Sequence, residues 1–135
     1  MHSVAHHLQL EAVRLVPTSE ADADSFARSA FNRYYYATFL CVRETLTTVD
    51  QKYDASLNHK GIPELLKGTV QRRIKAIQKK ASKLGDTSLV TDCRQTGSQN
   101  LALAVMLEKA YATRVVADYT PQTPVDFRSD RKSVV

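Results

Sequence analysis

Three groups of residues in this chain are of types that could act on an anionic substrate. The first is Asn32-Arg33-Tyr34-Tyr35-Tyr36-Ala37-Thr38-Phe39. Three tyrosines in succession span about 200° of a helical wheel, so they cannot all face one core. An outward ring at Tyr35 or Tyr36 could stack on a base while Arg33 holds a phosphate. Placed at the edge of a core, the same rings bury their carbon and satisfy their hydroxyls nearby. The second group is Arg114-Val115-Val116-Ala117-Asp118-Tyr119. Arg114 and Asp118 stand one helical turn apart and can pair. Arg ahead of Asp is the weaker orientation, and the Asp falls at the negative end of the helix dipole. A locally unfavourable pair points to a site or to a cross-helix partner such as Arg33. The third is His59, in a polar loop before a helix, where an imidazole can carry protons, bind phosphate or simply cap. His2, His6 and His7 include one i, i+4 pair and no evident third ligand, so no metal site is expected there.

Charge adds a fourth feature. Nineteen Lys and Arg against fourteen Asp and Glu give +5 and a pI near 9.3. Lys67, Arg72, Arg73, Lys75, Lys79, Lys80 and Lys83 lie in a stretch with no acidic residue, and they exceed the whole net charge. The basicity is therefore local. On a helix these seven avoid the apolar stripe of Leu66, Val70, Ile74, Ile77, Ala81 and Leu84, leaving a face that is either an anion stripe, led by Lys75, Lys79 and Lys83, or merely solvated. No Gly-rich phosphate loop, His-Glu-x-x-His motif or nucleophile in a recognisable setting occurs, which argues against an ATPase or zinc hydrolase. No cofactor is expected.

The elements that must position these residues read as helices. The chain has 135 residues, 43% hydrophobic and 24% charged, with four Gly and four Pro, too few for the turns of a sandwich or barrel. One segment runs from about Ser3 to Leu15, with Val4, Leu8, Ala12 and Leu15 on one face, and Pro17 stops it. A long helix comes next, from about Glu20 to Val49, entered through Ser19 and Asp22 as a near capping box. A third spans about Ile62 to Leu84, with Pro63 in its first turn and Gly85 at its end. A polar connection runs from Asp86 to Gly97. A fourth helix runs from near Ser98 to Asp118, with Leu101, Val105, Ala112 and Val115 on one side. The expectation is an all-α fold, an antiparallel bundle of four to five helices, as one domain over 1–119 with an extended or disordered tail over 120–135. Two cysteines, no signal-peptide pattern and no apolar run of ~18 residues suit a cytosolic protein that does not engage a membrane.

Taken in order, Arg33-Tyr34-Tyr35-Tyr36-Ala37-Thr38-Phe39, His59-Lys60-Gly61-Ile62 and Arg114 to Tyr119, with Pro121 beyond, resemble the successive motifs of HEPN domains. These are small helical proteins of prokaryotic toxin-antitoxin and defence loci, and the likeness extends over roughly Ala23 to Pro121. It implies a two-fold pair of helical bundles with a polar cleft, and a cytosolic homodimer that binds RNA or a nucleotide. Many relatives cut RNA without metal, using an Arg followed after four to six residues by a His. Here Arg114 matches the Arg, while the window holds Asp118, Tyr119 and Pro121 and no His. As an endoribonuclease the chain would use Arg114 for the phosphorane charge, His59 or Asp118 for the proton, and Arg33, Tyr35, Tyr36 and Tyr119 to hold RNA. The alternative is a catalytically silent module that pairs with a nucleotidyltransferase or another defence protein.

Overall fold

The computed structural model describes residues 1–123, and all of its regular structure is helical. The elements are α1 (His2–Leu15), α2 (Glu20–Val49), a 3-10 turn (Gln51–Ser56), α3 (Gly61–Leu65), a π turn (Leu66–Val70), α4 (Gln71–Lys83) and α5 (Thr87–Tyr119). Thr120 and Thr123 close a turn through a 3.1 Å backbone bond, and the remainder of the expected tail lies outside the described residues. The chain divides into two compact units, one of residues 1–42 with the described chain from Ala110 onward, the other of residues 43–109. Among the described residues no helix is long and apolar enough to cross a membrane.

In the first unit, α1 ends where Thr18 and Ser19 donate back to Leu15 O, just past Pro17. Ser19 Oγ then accepts from Asp22 N at 3.3 Å, and Glu20 and Asp22 place negative charge in the first turn of α2. Alanines do most of the burying: Ala5 and Ala12 on α1, and Ala23, Ala27 and Ala30 on α2, are each no more than 3% exposed. Of the face expected inside α1, Ala12 is buried and Leu8 and Leu15 are half-buried, so only Val4 is corrected. Val4 is exposed, because the small side chains of Ala5 and Ala12, not the branched one beside them, take the buried positions. Tyr34 fixes α1 to α2, its hydroxyl donating to Gln9 Oε1 at 3.1 Å and its ring meeting His2 edge-on.

In the second unit, Asp50 caps the 3-10 turn by accepting from Lys52 N, and the turn buries Tyr53. Asn58 Oδ1 accepts from the backbone N–H of Lys60 and of Gly61, which starts α3. Position 61 must be glycine, since a Cβ there would collide with the carbonyl oxygen of Ser56. The single helix expected from Ile62 to Leu84 is interrupted by the π turn. Inserting one residue rotates the later part of the helix by about 100°, so Ile62 and Leu66 face the core before the turn and Ile74 and Ala81 after it. Ile77 and Leu84, read as continuing the same stripe, are 49% and 75% exposed for that reason. Buried Asn100 of α5 holds the π turn, donating to Leu66 O at 2.8 Å and Gln71 Oε1 at 2.9 Å.

Gly85 ends α4 at φ +71°, with Gly85 N donating to Ser82 O and Asp86 N to Ala81 O. The polar connection expected over Asp86 to Gly97 is instead helical. Asp86 Oδ1 caps α5 by accepting from Leu89 N, and the helix starts at Thr87 rather than near Ser98. Its buried face in this unit is Cys93, Gly97, Asn100, Ala104 and Leu107. Leu101 and Val105, expected to face inward, are 41% and 42% exposed. The rotation follows from Asn100, whose amide must reach Leu66 and Gln71.

Candidate functional site

The site is built in the first unit on one face of α2. Ser29, Asn32, Arg33 and Tyr36 follow each other at i, i+3, i+4 and i+7, and they line an open depression of about 270 Å³. The end of α5 supplies the rest. Asn32 Nδ2 donates to Asp118 Oδ1 at 2.9 Å, and Asp118 Oδ2 lies 3.0 Å from Arg114 Nε. The guanidinium carbon of Arg114 lies 5.0 Å from the ring centre of Tyr36 and 5.9 Å from that of Tyr35. The Arg114 and Asp118 side chains are 15% and 22% exposed. Arg114 Nε is buried and makes no aligned hydrogen bond among the described residues, so charge and the two rings hold it.

Tyr35 is the hub of this packing and is 4% exposed. Its ring stacks on Phe39, meets Tyr36 edge-on and tilts against Tyr111. It is covered, so the expectation that it stacks on RNA is corrected: the middle tyrosine of the three faces inward. Burial pushes its phenol up to about 12, with Arg114 opposing and Tyr111 and Tyr36 assisting. A phenol that holds its proton longer in the folded chain stabilises fully below pH ~10, the unfolded value, and loses that contribution as pH rises toward 12. Absorbance of phenolate should therefore show one of the six tyrosines titrating late. Melting midpoints should fall over this window more steeply in the wild type than in Tyr35→Phe.

Arg114 and Asp118, expected as catalytic residues, stand together and answer each other's charge. Arg33 is exposed and makes no ion pair or hydrogen bond among the described residues, so it is a free cation at the edge of the depression. Tyr119 stands at the end of α5, 75% exposed. Sequence reasoning missed Arg28. Its Nε reaches Asp24 at 2.6 Å, Nη1 donates to Ala117 O and Thr120 O, and Nη2 to Pro121 O and Thr123 O. It binds the carbonyl end of α5 and the turn after it to α2, which sets Asp118 opposite Asn32. The readable signal was Asp24 four residues ahead of Arg28, the favourable orientation for a pair.

His59 belongs to the second unit, half-buried in the turn before α3. The basic stretch lies there too, divided by pairing. Lys67 meets Glu108, and Arg73 donates to Asp50 at 3.0 Å and to Tyr53 Oη at 2.7 Å. Lys75, Lys79, Lys80 and Lys83 are exposed on α4 and have no partner among the described residues. Among the described residues no three of His, Cys, Asp and Glu gather as metal ligands. No family model, curated protein or solved structure matches the chain.

Proposed function

We propose that this chain is a HEPN-like, cytosolic homodimer that binds RNA, as an effector or component of a prokaryotic toxin-antitoxin or antiviral defence system. The observation that carries the reading is the division of the cations. Arg28, Lys67, Arg73 and Arg114 are engaged by carboxylates, while Arg33 and four lysines of α4 are left free on open surface. Free cations suit a phosphate backbone, and at Arg33 the free charge borders an open polar depression that Tyr36 gives an aromatic wall.

Metal-free cleavage would need a base for the 2′-hydroxyl and an acid for the leaving oxygen. His59 or Asp118 would carry the proton, and Arg114 would stabilise the phosphorane. The Arg114–Asp118 contact favours the second reading: a silent binding module, which as a defence component pairs with a nucleotidyltransferase or other protein. With both groups neutralising each other, neither is poised to meet a reacting phosphate.

The test uses the full chain with single-stranded RNA in EDTA. RNA binding that weakens about tenfold in Arg33→Ala, with the melting midpoint unchanged, is the expected result. Intact RNA under these conditions selects the module, whereas cutting that vanishes in Arg114→Ala selects the ribonuclease. Absence of binding at low salt overturns the RNA reading.

A further inference from the structure

We infer that Asn32 reads the base of the bound RNA through a fixed acceptor, and that Asp118 and Arg114 are the positioning residues that fix it. The inference rests on the RNA-binding reading above and names the nucleotide that the depression takes: one whose base carries an exocyclic amine, cytosine or adenine. Asn32 lines the depression beside Arg33, with Ser29 one turn before it and Tyr36 one turn after. An amide can face a neighbour with its oxygen or its nitrogen, and here the neighbour decides. The Asp118 carboxylate only accepts, so Nδ2 turns to it, at 2.9 Å. Oδ1 is left on the other side of the amide, with no donor among the described residues. Arg114 holds the arrangement from behind. Its Nε lies 3.0 Å from Asp118 Oδ2, so one carboxylate divides its two oxygens between Arg114 and Asn32.

The depression therefore offers a phosphate the cation of Arg33, a base the ring of Tyr36, and a base edge the acceptor of Asn32. An acceptor calls for an N–H. Cytosine and adenine supply one from their amines, whereas uracil carries a carbonyl oxygen where cytosine has its amine, and Oδ1 repels it. The one ring N–H of uracil stands between two carbonyls, so it brings an oxygen beside Oδ1 whichever way it enters. The same chain of contacts has a consequence that a merely structural Asp118 would not. In Asp118→Asn a single oxygen is left for two neighbours. The guanidinium, a cation with donors only, takes it, and the new amide nitrogen faces Asn32. Asn32 must then turn over, with Oδ1 toward that nitrogen and Nδ2 toward the depression. The acceptor becomes a donor with no change of shape.

The experiment is fluorescence anisotropy of the full chain with labelled short oligo(C) and oligo(U) RNA at one low salt concentration, with circular dichroism melting of each variant. The wild type should bind oligo(C) about fivefold more tightly than oligo(U), the size of one hydrogen bond to a base. Asp118→Asn should reverse the order, to about fivefold in favour of oligo(U). Asn32→Ala should bind the two equally. It only shortens a half-buried side chain, so it decides the matter if Asp118→Asn does not fold. A wild type that binds neither RNA overturns the RNA reading and this inference together. Binding without preference for oligo(C), a preference that survives in Asn32→Ala, or a folded Asp118→Asn that does not reverse the order overturns the inference and leaves the RNA reading standing.

Discussion

Replacing Arg28 with alanine lowers the unfolding free energy by about 3 kcal/mol and the melting midpoint by roughly 10 °C. This one side chain holds five separate groups: the Asp24 carboxylate and the carbonyls of Ala117, Thr120, Pro121 and Thr123. The Arg28 side chain is 12% exposed, so water does not replace it readily. Its loss takes a donor from Ala117 O in the last turn of α5 and from the carbonyls of the turn after it, at the end of the helix dipole that favours a cation. Each charged hydrogen bond contributes roughly 1.5–3 kcal/mol in isolation, but they share one cation and are far from additive. Lysine, a single point of charge, should recover less than half of the loss. Thermal denaturation followed by circular dichroism checks both variants, and an unchanged midpoint in Arg28→Ala would show that the contacts contribute nothing.

Arg114→Ala should cost about 2 kcal/mol, whereas Arg33→Ala should fall within ~0.5 kcal/mol of the wild type. The two arginines belong to the same unit and differ in what surrounds them. Arg114 is covered by Tyr35 and Tyr36 and paired to Asp118, so its removal strips a ring pair of its cation and leaves the Asp118 carboxylate with Asn32 alone among the described residues. Exposure of the two side chains, 15% and 22%, keeps the loss below that of a fully buried pair. Arg33 pairs with nothing among the described residues and can be lost without cost to the fold. Chemical denaturation of both variants separates a positioning arginine from one kept free for a ligand. Equal destabilisation would erase that distinction.

Much of this was legible in the residues. Pro17, Ser19 with Asp22, and Gly85 marked real boundaries, because each acts through its own backbone or through a cap one turn away. That the Arg114–Asp118 pair asks for a cross-helix partner was also legible, but Arg33, the residue expected, makes no ion pair among the described residues. Asn32 turned out to be that partner. What could not be read was rotation. A π turn at Leu66–Val70 leaves no compositional mark, yet it moves Ile77 and Leu84 from the core to the surface. Asn100 fell within the expected fourth helix with no role read for it, and its two hydrogen bonds decide which face of α5 is inside. Tyr35 and Tyr36 carry the same side chain, and only packing against Phe39 and Tyr111 buries the first more deeply. Arg28 was hidden because its partners are backbone carbonyls roughly ninety residues away, which no pattern of side-chain types announces.

The central claim is that unpaired cations of this chain meet RNA phosphates. The most direct measurement is fluorescence anisotropy of a labelled single-stranded RNA, titrated with protein across a salt series. The logarithm of affinity should fall linearly with the logarithm of salt, and the triple variant Lys75→Glu, Lys79→Glu, Lys83→Glu should flatten that line by about 2, some 0.7 for each phosphate contact removed. Identical affinities and slopes in the two proteins, with both folded, would contradict it.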